Sequence, residues 1–266
     1  MKIIDFHTHT FPAKIAHGAI ASLEKSSGTR ASLDGTNESL LASMKKYGIE
    51  KSVLLLIAVK PGNSHTINSC AIENNKIPGF VSFGSVHPFE ENYVEELQRI
   101  KDAGLPGVKL HPDFQGVFID DPKMVAVMRA AADMGLLITI HAGMDVSFPE
   151  LHRSTPKRLA SVLPQLKGAK IICAHSGGYR YNDDVLELLL GFDEIYIDTS
   201  YSIGQPQMDT QKLIRIYKEI DPTHILFGTD SPWEDQVESI NKVMSLPIDD
   251  ELKEKIMYKN AEALLK

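Results

Sequence analysis

Two histidines that could bind one metal ion stand near the start of the chain, in the stretch "MKIIDFHTHTFP". His7 and His9 are two residues apart and follow a short apolar run typical of a β-strand. Side chains two residues apart on a strand point to the same face, so both rings can reach one point. Neutral imidazole is a common ligand of divalent metals. Taken alone, the pair is also consistent with two side chains that hydrogen-bond a nearby loop.

Other residues able to bind metal or move a proton stand at the ends of later apolar runs. They are His111, two residues after Lys109 in "GVKLHP", then His141 in "ITIHAG", His175 in "ICAHSGG" and Asp230 in "LFGTDSPW". Each one alone can be a hydrogen-bonded buried side chain or a turn residue. Their shared position at strand ends predicts a metal site accompanied by proton-transfer groups.

Eight short apolar runs must position these residues. Each run is rich in Ile, Val, Leu or Phe, which is typical of strands buried on both faces. Helical patterns lie between most of them, such as "NESLLASMKKYG", ending at Gly48, and "DPKMVAVMRAAADMG", with Asp121 as N-cap. The alternation predicts a (β/α)8 TIM barrel, whose active site lies at the carboxyl ends of the strands. A doubly wound open sheet is the alternative. The runs begin at Lys2, Ser52, Gly79, Gly107, Leu136, Lys170, Glu194 and His224.

Length and composition favour one globular domain spanning residues 1–266, with 43% hydrophobic and 24% charged residues. The net charge of −7 argues against nucleic acid and membranes as partners and leaves a small molecule as the expected ligand. The two cysteines, Cys70 and Cys173, lie far apart, so we expect no disulfide framework. With no apparent signal peptide or membrane-spanning run, we expect a cytoplasmic protein.

Two further segments bear on the site and the fold. Residues 9–37 include Ser26, Ser27, Gly28 and Gly35, and they are predicted to form a long loop. A long loop after a barrel strand is typical of a lid or a substrate-binding segment. The pattern "DELKEKIMYKNAEALLK" predicts an extra C-terminal helix.

The motifs "DFHTH", "GVKLHP", "HAG", "HSGG" and "GTDSPW", in this order, resemble the amidohydrolase superfamily. They are most similar to its amidohydrolase-related branch (amidohydrolase 2), which includes the aminocarboxymuconate-semialdehyde decarboxylase-like enzymes. The resemblance implies a metal-dependent (β/α)8 barrel in which His7, His9, His141 and Asp230 are the metal ligands. It places His175 beside the reacting water as a base, or as a ligand of a second ion. It also implies a homodimer.

The number and identity of the metal ions stay open at this point. Binuclear members of the superfamily often carry a carboxylated lysine on the fourth strand, where this chain has Lys109. An ordinary lysine that pairs with Asp5 or Asp198, or binds a substrate carboxylate, is the alternative. We expect one ion rather than two. Imidazole and carboxylate ligands favour Zn2+, with Mn2+ as the second choice.

The expected activity is hydrolysis of an amide, ester or lactone of a small carboxylated substrate, with His175 and Asp230 as the catalytic residues. Decarboxylation or hydration of a small unsaturated or aromatic acid is the alternative, because the same metal site can serve either reaction. Substrate contacts are predicted for His111, Lys109, Arg180 and Trp233, since an arginine can bind a carboxylate through two hydrogen bonds. A barrel that binds without catalysis is disfavoured because all the ligand-type residues are present.

Overall fold

Eight parallel strands form the centre of the structure, a computed structural model that describes residues 1–266. All eight predicted strands are present, most of them shorter than the apolar runs that predict them. They hydrogen-bond in chain order as one sheet of three strands and one of five. The strands are β1 Ile4–Thr8, β2 Lys51–Leu55, β3 Phe80–Phe83, β4 Gly107–Leu110, β5 Leu137–Ile140, β6 Ile171–Cys173, β7 Ile195–Asp198 and β8 Ile225–Leu226.

Backbone hydrogen bonds join the two sheets at both seams. Between β3 and β4, the amide of Gly84 donates to the carbonyl of Gly107 at 2.9 Å. Between β8 and β1, the amide of Asp230 donates to the carbonyl of His7, also at 2.9 Å. The strands therefore close into a barrel, which confirms the TIM-barrel prediction and excludes the open sheet. Closure also brings Asp230, four residues beyond the end of β8, against the end of β1.

Helices follow the strands and pack around the barrel. They are α1 Ala13–Ser27, α2 Asn37–Tyr47, α3 Ser64–Asn74, α4 Tyr93–Asp102, α5 Pro112–Gln115, α6 Pro122–Asp133, α7 Pro156–Val162, α8 Asn182–Leu188, α9 Thr210–Glu219, α10 Gln236–Met244, α11 Asp250–Glu254 and α12 Asn260–Leu264. A π-helical turn, Lys255–Lys259, joins α11 to α12 and completes the predicted C-terminal helix. Gly48, at φ 72°, and Asp121, whose carboxylate accepts from Lys123 N, confirm the predicted end of α2 and start of α6. None of the helices combines the length and apolar character needed to cross a bilayer.

The prediction of a long loop over residues 9–37 is wrong, because α1 occupies much of this segment. Pro12 precedes its first residue and Gly28, at φ 69°, follows its last, as is common at helix ends. No helix is predicted where α3 lies, because its Ser, Thr and Asn residues have low helix propensity. Packing of its buried Ala71 favours the helix instead.

Successive strand residues divide between two apolar clusters, as a period of two requires. Ile138 and Ile140 belong to the larger cluster, which includes many helix residues and fills the layer between strands and helices. Leu137 belongs to the smaller cluster, made mostly of strand residues and joined by Ala261 of α12. The smaller cluster fills the barrel interior and leaves the polar residues at the carboxyl ends of the strands to form a separate site.

Candidate active site

Three side-chain atoms converge at the carboxyl ends of β1 and β8. Nε2 of His7 lies 3.1 Å from Nε2 of His9. Oδ1 of Asp230 lies 3.3 Å from the first nitrogen and 3.2 Å from the second. Ligand atoms that each lie about 2.0–2.2 Å from one ion are spaced in this way. All three residues are ligands implied by the family resemblance, and we call them the first ligand group.

Hydrogen bonds at the far side of each ring fix which nitrogen carries the proton. Nδ1 of His7 lies 2.7 Å from Oδ2 of Asp198, and Nδ1 of His9 lies 2.9 Å from the carbonyl of Leu55. Both Nδ1 atoms must donate, so both Nε2 atoms present lone pairs. Two lone pairs and a carboxylate oxygen then face each other and repel. A divalent cation among them removes this repulsion, so the residues present fit a metal ion.

Lys109 brings a positive charge to the edge of the first ligand group. Its Nζ lies 3.4 Å from Nε2 of His7, and the residue is 1% exposed. Burial lowers the pKa of its ammonium to about 8. The Lys109 ammonium can donate a hydrogen bond to the Nε2 lone pair of His7. The repulsion between Nε2 of His9 and Oδ1 of Asp230 then remains.

His7 and Asp230 are already in the protonation states that metal binding requires. Burial lowers the pKa of His7 to about 4, so its imidazole is neutral at pH 7. Asp230 faces ring nitrogens that carry lone pairs, and its carboxyl is ionised at pH 7, as an aspartate ordinarily is. A neutral ring and a carboxylate therefore face each other near neutral pH.

The backbone around the site has features that allow close approach. A Cβ on Gly228 would lie 2.9 Å from Cβ of His7 and 3.3 Å from Cβ of Asp198, so glycine lets these residues meet. His175 and Asp230 have φ angles of 59° and 65°, which non-glycine residues rarely adopt. Such strain concentrates at functional sites, where the surrounding structure must hold it.

Replacing Asp198 with Asn is expected to weaken metal binding by roughly 10- to 100-fold, the usual effect of losing a partner behind a ligating histidine. The amide side chain of this variant would lack the negative charge that orients the His7 ring and makes it a better donor. Titration with Mn2+ or Zn2+ measures the change, and exposed Asp193→Asn serves as the control. Equal affinity in the Asp198 variant and the wild type would remove Asp198 from the metal site.

A second group of metal-ligand type lies beside the first, made of His111, His141 and Asp145. The rings of His111 and His141 stack with centroids 4.3 Å apart. Oδ2 of Asp145 lies 3.4 Å from Nε2 of His111 and 3.7 Å from Nε2 of His141. Nε2 of His141 is buried without a hydrogen-bond partner. The structure therefore groups His141, the fourth predicted ligand, with His111 and Asp145 rather than with the first ligand group.

His175 lies between the two groups. Its Nε2 lies 3.0 Å from Nδ1 of His141, and its Nδ1 lies 3.1 Å from the carbonyl of Ser200. The rings of His175 and His7 have centroids 5.4 Å apart. Because Nδ1 donates to the carbonyl, Nε2 of His175 is an acceptor, as expected of a group that takes up a proton.

Asp145 is a site residue that the sequence analysis misses. It follows β5 in a loop, four residues after His141, and it is 6% exposed. Burial raises the pKa of its carboxyl to about 7. The one signal in the sequence is that Asp145 is an acidic residue in a loop at the carboxyl end of a barrel strand. Side-chain alternation does not extend through a loop, so it cannot predict where the Asp145 side chain points.

Both ligand groups line one cavity of about 340 Å³. Of its 29 lining residues, 15 are hydrophobic, and apolar atoms contribute most of the lining surface, so a largely apolar wall surrounds a polar floor. Lys109, His111 and Trp233, three predicted substrate-binding residues, are in the lining. Arg180 is not in the lining; it is exposed, and its Nη1 contacts Sδ of Met144 at 3.1 Å. The structure does not bring this predicted carboxylate-binding residue to the cavity.

The whole chain resembles known proteins in sequence pattern and in fold. Residues 4–266 match the model of a family described as amidohydrolase. An uncharacterised TIM-barrel protein of Bordetella bronchiseptica is similar in structure, with a TM-score of 0.82, 20% identity, and coverage of 100% of this chain and 98% of that chain. No curated protein matches the chain.

Two decarboxylases are also similar in structure. A 2,6-dihydroxybenzoate decarboxylase, solved with 2,6-dihydroxybenzoate, has a TM-score of 0.75, 19% identity, and coverage of 100% of this chain and 99% of that one. A dihydroxybenzoic acid decarboxylase of Polaromonas, solved with manganese and 2-nitroresorcinol, has a TM-score of 0.74, 16% identity, and coverage of 99% and 96%. At these identities the likeness establishes the shared fold.

Proposed function

The chain belongs to the amidohydrolase family, and on that premise we propose that it is a metal-dependent enzyme that decarboxylates a small aromatic or unsaturated acid. The convergence of His7 Nε2, His9 Nε2 and Asp230 Oδ1 is the observation that carries the metal dependence. A bound divalent ion supplies positive charge that stabilises negative charge on a substrate oxygen.

We propose one ion, held by the first ligand group. His141, with its buried and unpartnered Nε2, remains the proposed fourth ligand. The second group is a poorer metal site because Nδ1 of His111 accepts from the amide of Phe114, which leaves the proton on Nε2, facing Asp145. The ligand set suits zinc and manganese alike. The manganese in the Polaromonas decarboxylase makes Mn2+ as strong a candidate as the Zn2+ predicted from sequence.

Two observations favour decarboxylation over the hydrolysis that the sequence analysis prefers. The similar structures include decarboxylases that align over nearly the full length of both chains. The cavity wall is largely apolar, and a carboxylate shielded from water loses carbon dioxide more readily because its charge is no longer hydrated. Hydrolysis requires a water molecule in the same space, so it becomes the second candidate.

Decarboxylation breaks the bond between the substrate carbon and its carboxyl group, and the electron pair left on that carbon must take up one proton. We assign delivery of this proton to Asp230, which lies in the cavity lining beside His7 and His9. Asp230 is ionised at neutral pH, so it must first receive this proton. We assign the relay to His175, whose acceptor Nε2 takes up a proton from water and passes it to Asp230. Lys109 supplies a positive charge near the substrate carboxylate. Homodimer formation remains a prediction from the family resemblance.

The test compares carbon dioxide release with acid release. Two samples are compared: protein loaded with Mn2+ or Zn2+, and protein from which metal has been removed with a chelator. Each sample is incubated with hydroxybenzoic acids, unsaturated acids, lactones and amides. We expect metal-dependent release of carbon dioxide from one class of acids. Acid release from a lactone or amide without carbon dioxide would establish hydrolysis instead. Turnover that survives complete metal removal would contradict both.

A further inference from the structure

The cavity lining is more apolar than the reacting end requires. The charged lining residues, Lys109, Asp145 and Asp230, all lie on or after barrel strands. Six apolar lining residues come instead from α1, from α3 and from the segment after β2. We call them the apolar arm: Ile15 and Leu23 of α1, Ile57 and Val59 after β2, and Ile67 and Cys70 of α3.

The apolar arm carries no charged side chain, and the hydroxyl groups near it are few. Thr29, just beyond α1, lies in the lining, but its hydroxyl is within 3.2 Å of the Tyr201 hydroxyl. Ser27, at the end of α1, and Thr66 of α3 each add one more hydroxyl to the lining. A substrate portion in this arm therefore gains affinity mainly by burying apolar surface.

Two side chains of the apolar arm are partly exposed where no element of the fold covers them. Ile15 is 56% exposed and Val59 is 37% exposed, although both line the cavity. A cavity of about 340 Å³ is also within the size range that accommodates a drug-sized ligand. A single carboxylated ring at the polar floor leaves the arm unfilled and its apolar surface in water.

We propose that the substrate is an amphipathic acid whose carboxyl end lies at the polar floor and whose alkyl or aryl substituent lies in the apolar arm. The orientation of the carboxyl end rests on the proposed function. The substituent distinguishes this substrate from the dihydroxybenzoates of the similar decarboxylases, because a ring that carries only hydroxyl groups gains little from the arm.

Cys70 allows the proposal to be tested by binding, without turnover. Cys70 lines the arm, whereas the other thiol, Cys173, is buried with 0% exposure. N-ethylmaleimide should therefore modify Cys70 and leave Cys173 intact in the folded protein. A ligand that fills the arm should slow this modification, because it covers the Cys70 thiol.

The experiment titrates the metal-loaded wild-type protein with 4-alkylbenzoates from methyl to hexyl. We expect affinity to rise roughly three- to fourfold per methylene, and Cys70 alkylation to slow in parallel. Affinity that is independent of chain length, longer acids that bind without protecting Cys70, or no binding by any member would each overturn the proposal. Failure of decarboxylation with intact binding would contradict the proposed function and leave the apolar arm established.

A charge placed in the arm provides a second, independent variant. Ile67→Asp should remove the gain in affinity per methylene, because a carboxylate would then face the alkyl chain. Ser69→Asp adds the same charge to α3 outside the cavity lining, beside Arg99, and should retain the gain. The same chain-length dependence in both variants would show that the alkyl group binds elsewhere.

Discussion

Asp230→Asn is expected to lower turnover by roughly 10²- to 10⁴-fold or more, the range lost when a positioned acid–base group is removed. The carboxylate has two roles in our account, as one of three convergent ligand atoms and as the group that delivers the proton. An amide can hold a metal weakly but cannot donate an acidic proton. The loss should therefore persist at saturating metal, when the variant carries as much ion as the wild type.

Stability should separate this effect from unfolding. Without metal, Oδ1 of Asp230 lies 3.3 Å from His7 Nε2 and 3.2 Å from His9 Nε2, both of which present lone pairs. Neutralising the carboxylate relieves this repulsion, so the melting temperature of the metal-free variant should be unchanged or higher. Asp193→Asn, at an exposed position, should leave both turnover and stability as in the wild type. Wild-type turnover in Asp230→Asn would remove this residue from the mechanism.

His9→Ala is expected to weaken metal binding by more than about 100-fold, since losing only an outer partner of a ligand already costs about 10- to 100-fold. His9 is the better choice of the two strand-end histidines. The His7 side chain is 1% exposed, so its truncation would leave a cavity in the core, whereas the His9 side chain is 14% exposed. Equilibrium dialysis against Zn2+ or Mn2+ gives the affinity directly.

His17→Ala is the matched control for His9→Ala. His17 is an exposed histidine on α1 that is absent from the cavity lining, so its removal tests for adventitious binding to surface imidazoles. It should leave the tight site unaffected. Equal affinities in His9→Ala, His17→Ala and the wild type would mean that the ion binds elsewhere on the chain.

The barrel could be predicted because its strands are buried on both faces and therefore form apolar runs with sharp ends. Helices with strong caps, such as α6 behind Asp121, could be predicted for a similar local reason. α1 carries local helix signals in Pro12 and Gly28, but Ser26, Ser27 and Gly35 favour a loop in the same segment. α3 could not be predicted, because tertiary packing rather than local sequence favours it. Ala71 of α3, for example, is fully buried against the rest of the fold.

Within the site, the residues at strand ends could be predicted and the residues in loops could not. Strand alternation and barrel closure bring together His7, His9 and Asp230 at the carboxyl end of the barrel. Asp145 lies in a loop, where no periodicity fixes its direction. The sequence also suggests that Lys109 pairs with Asp5 or Asp198, but Asp5 instead accepts hydrogen bonds from Thr229 and Gln236.

Alternation along β1 predicts that Asp5 shares a face with His7 and His9, but the pairing of β1 is irregular. The register between β1 and β2 shifts between Asp5 and Thr8, so residues on the two sides of the shift do not share one face. Asp5 then holds β1 to Thr229, next to Asp230, while His7 turns towards Asp198. Such a bulge depends on pairing between distant strands and leaves no local signal in the sequence.

The most direct test of the central claim is the metal content of the purified chain after incubation with Mn2+ or Zn2+ and removal of weakly bound ion. We predict one ion per chain in the wild type and less than a tenth of that in His9→Ala under the same conditions. A wild-type chain that retains no ion, or a His9→Ala chain that retains as much as the wild type, would contradict the assignment of His7, His9 and Asp230 as the metal site.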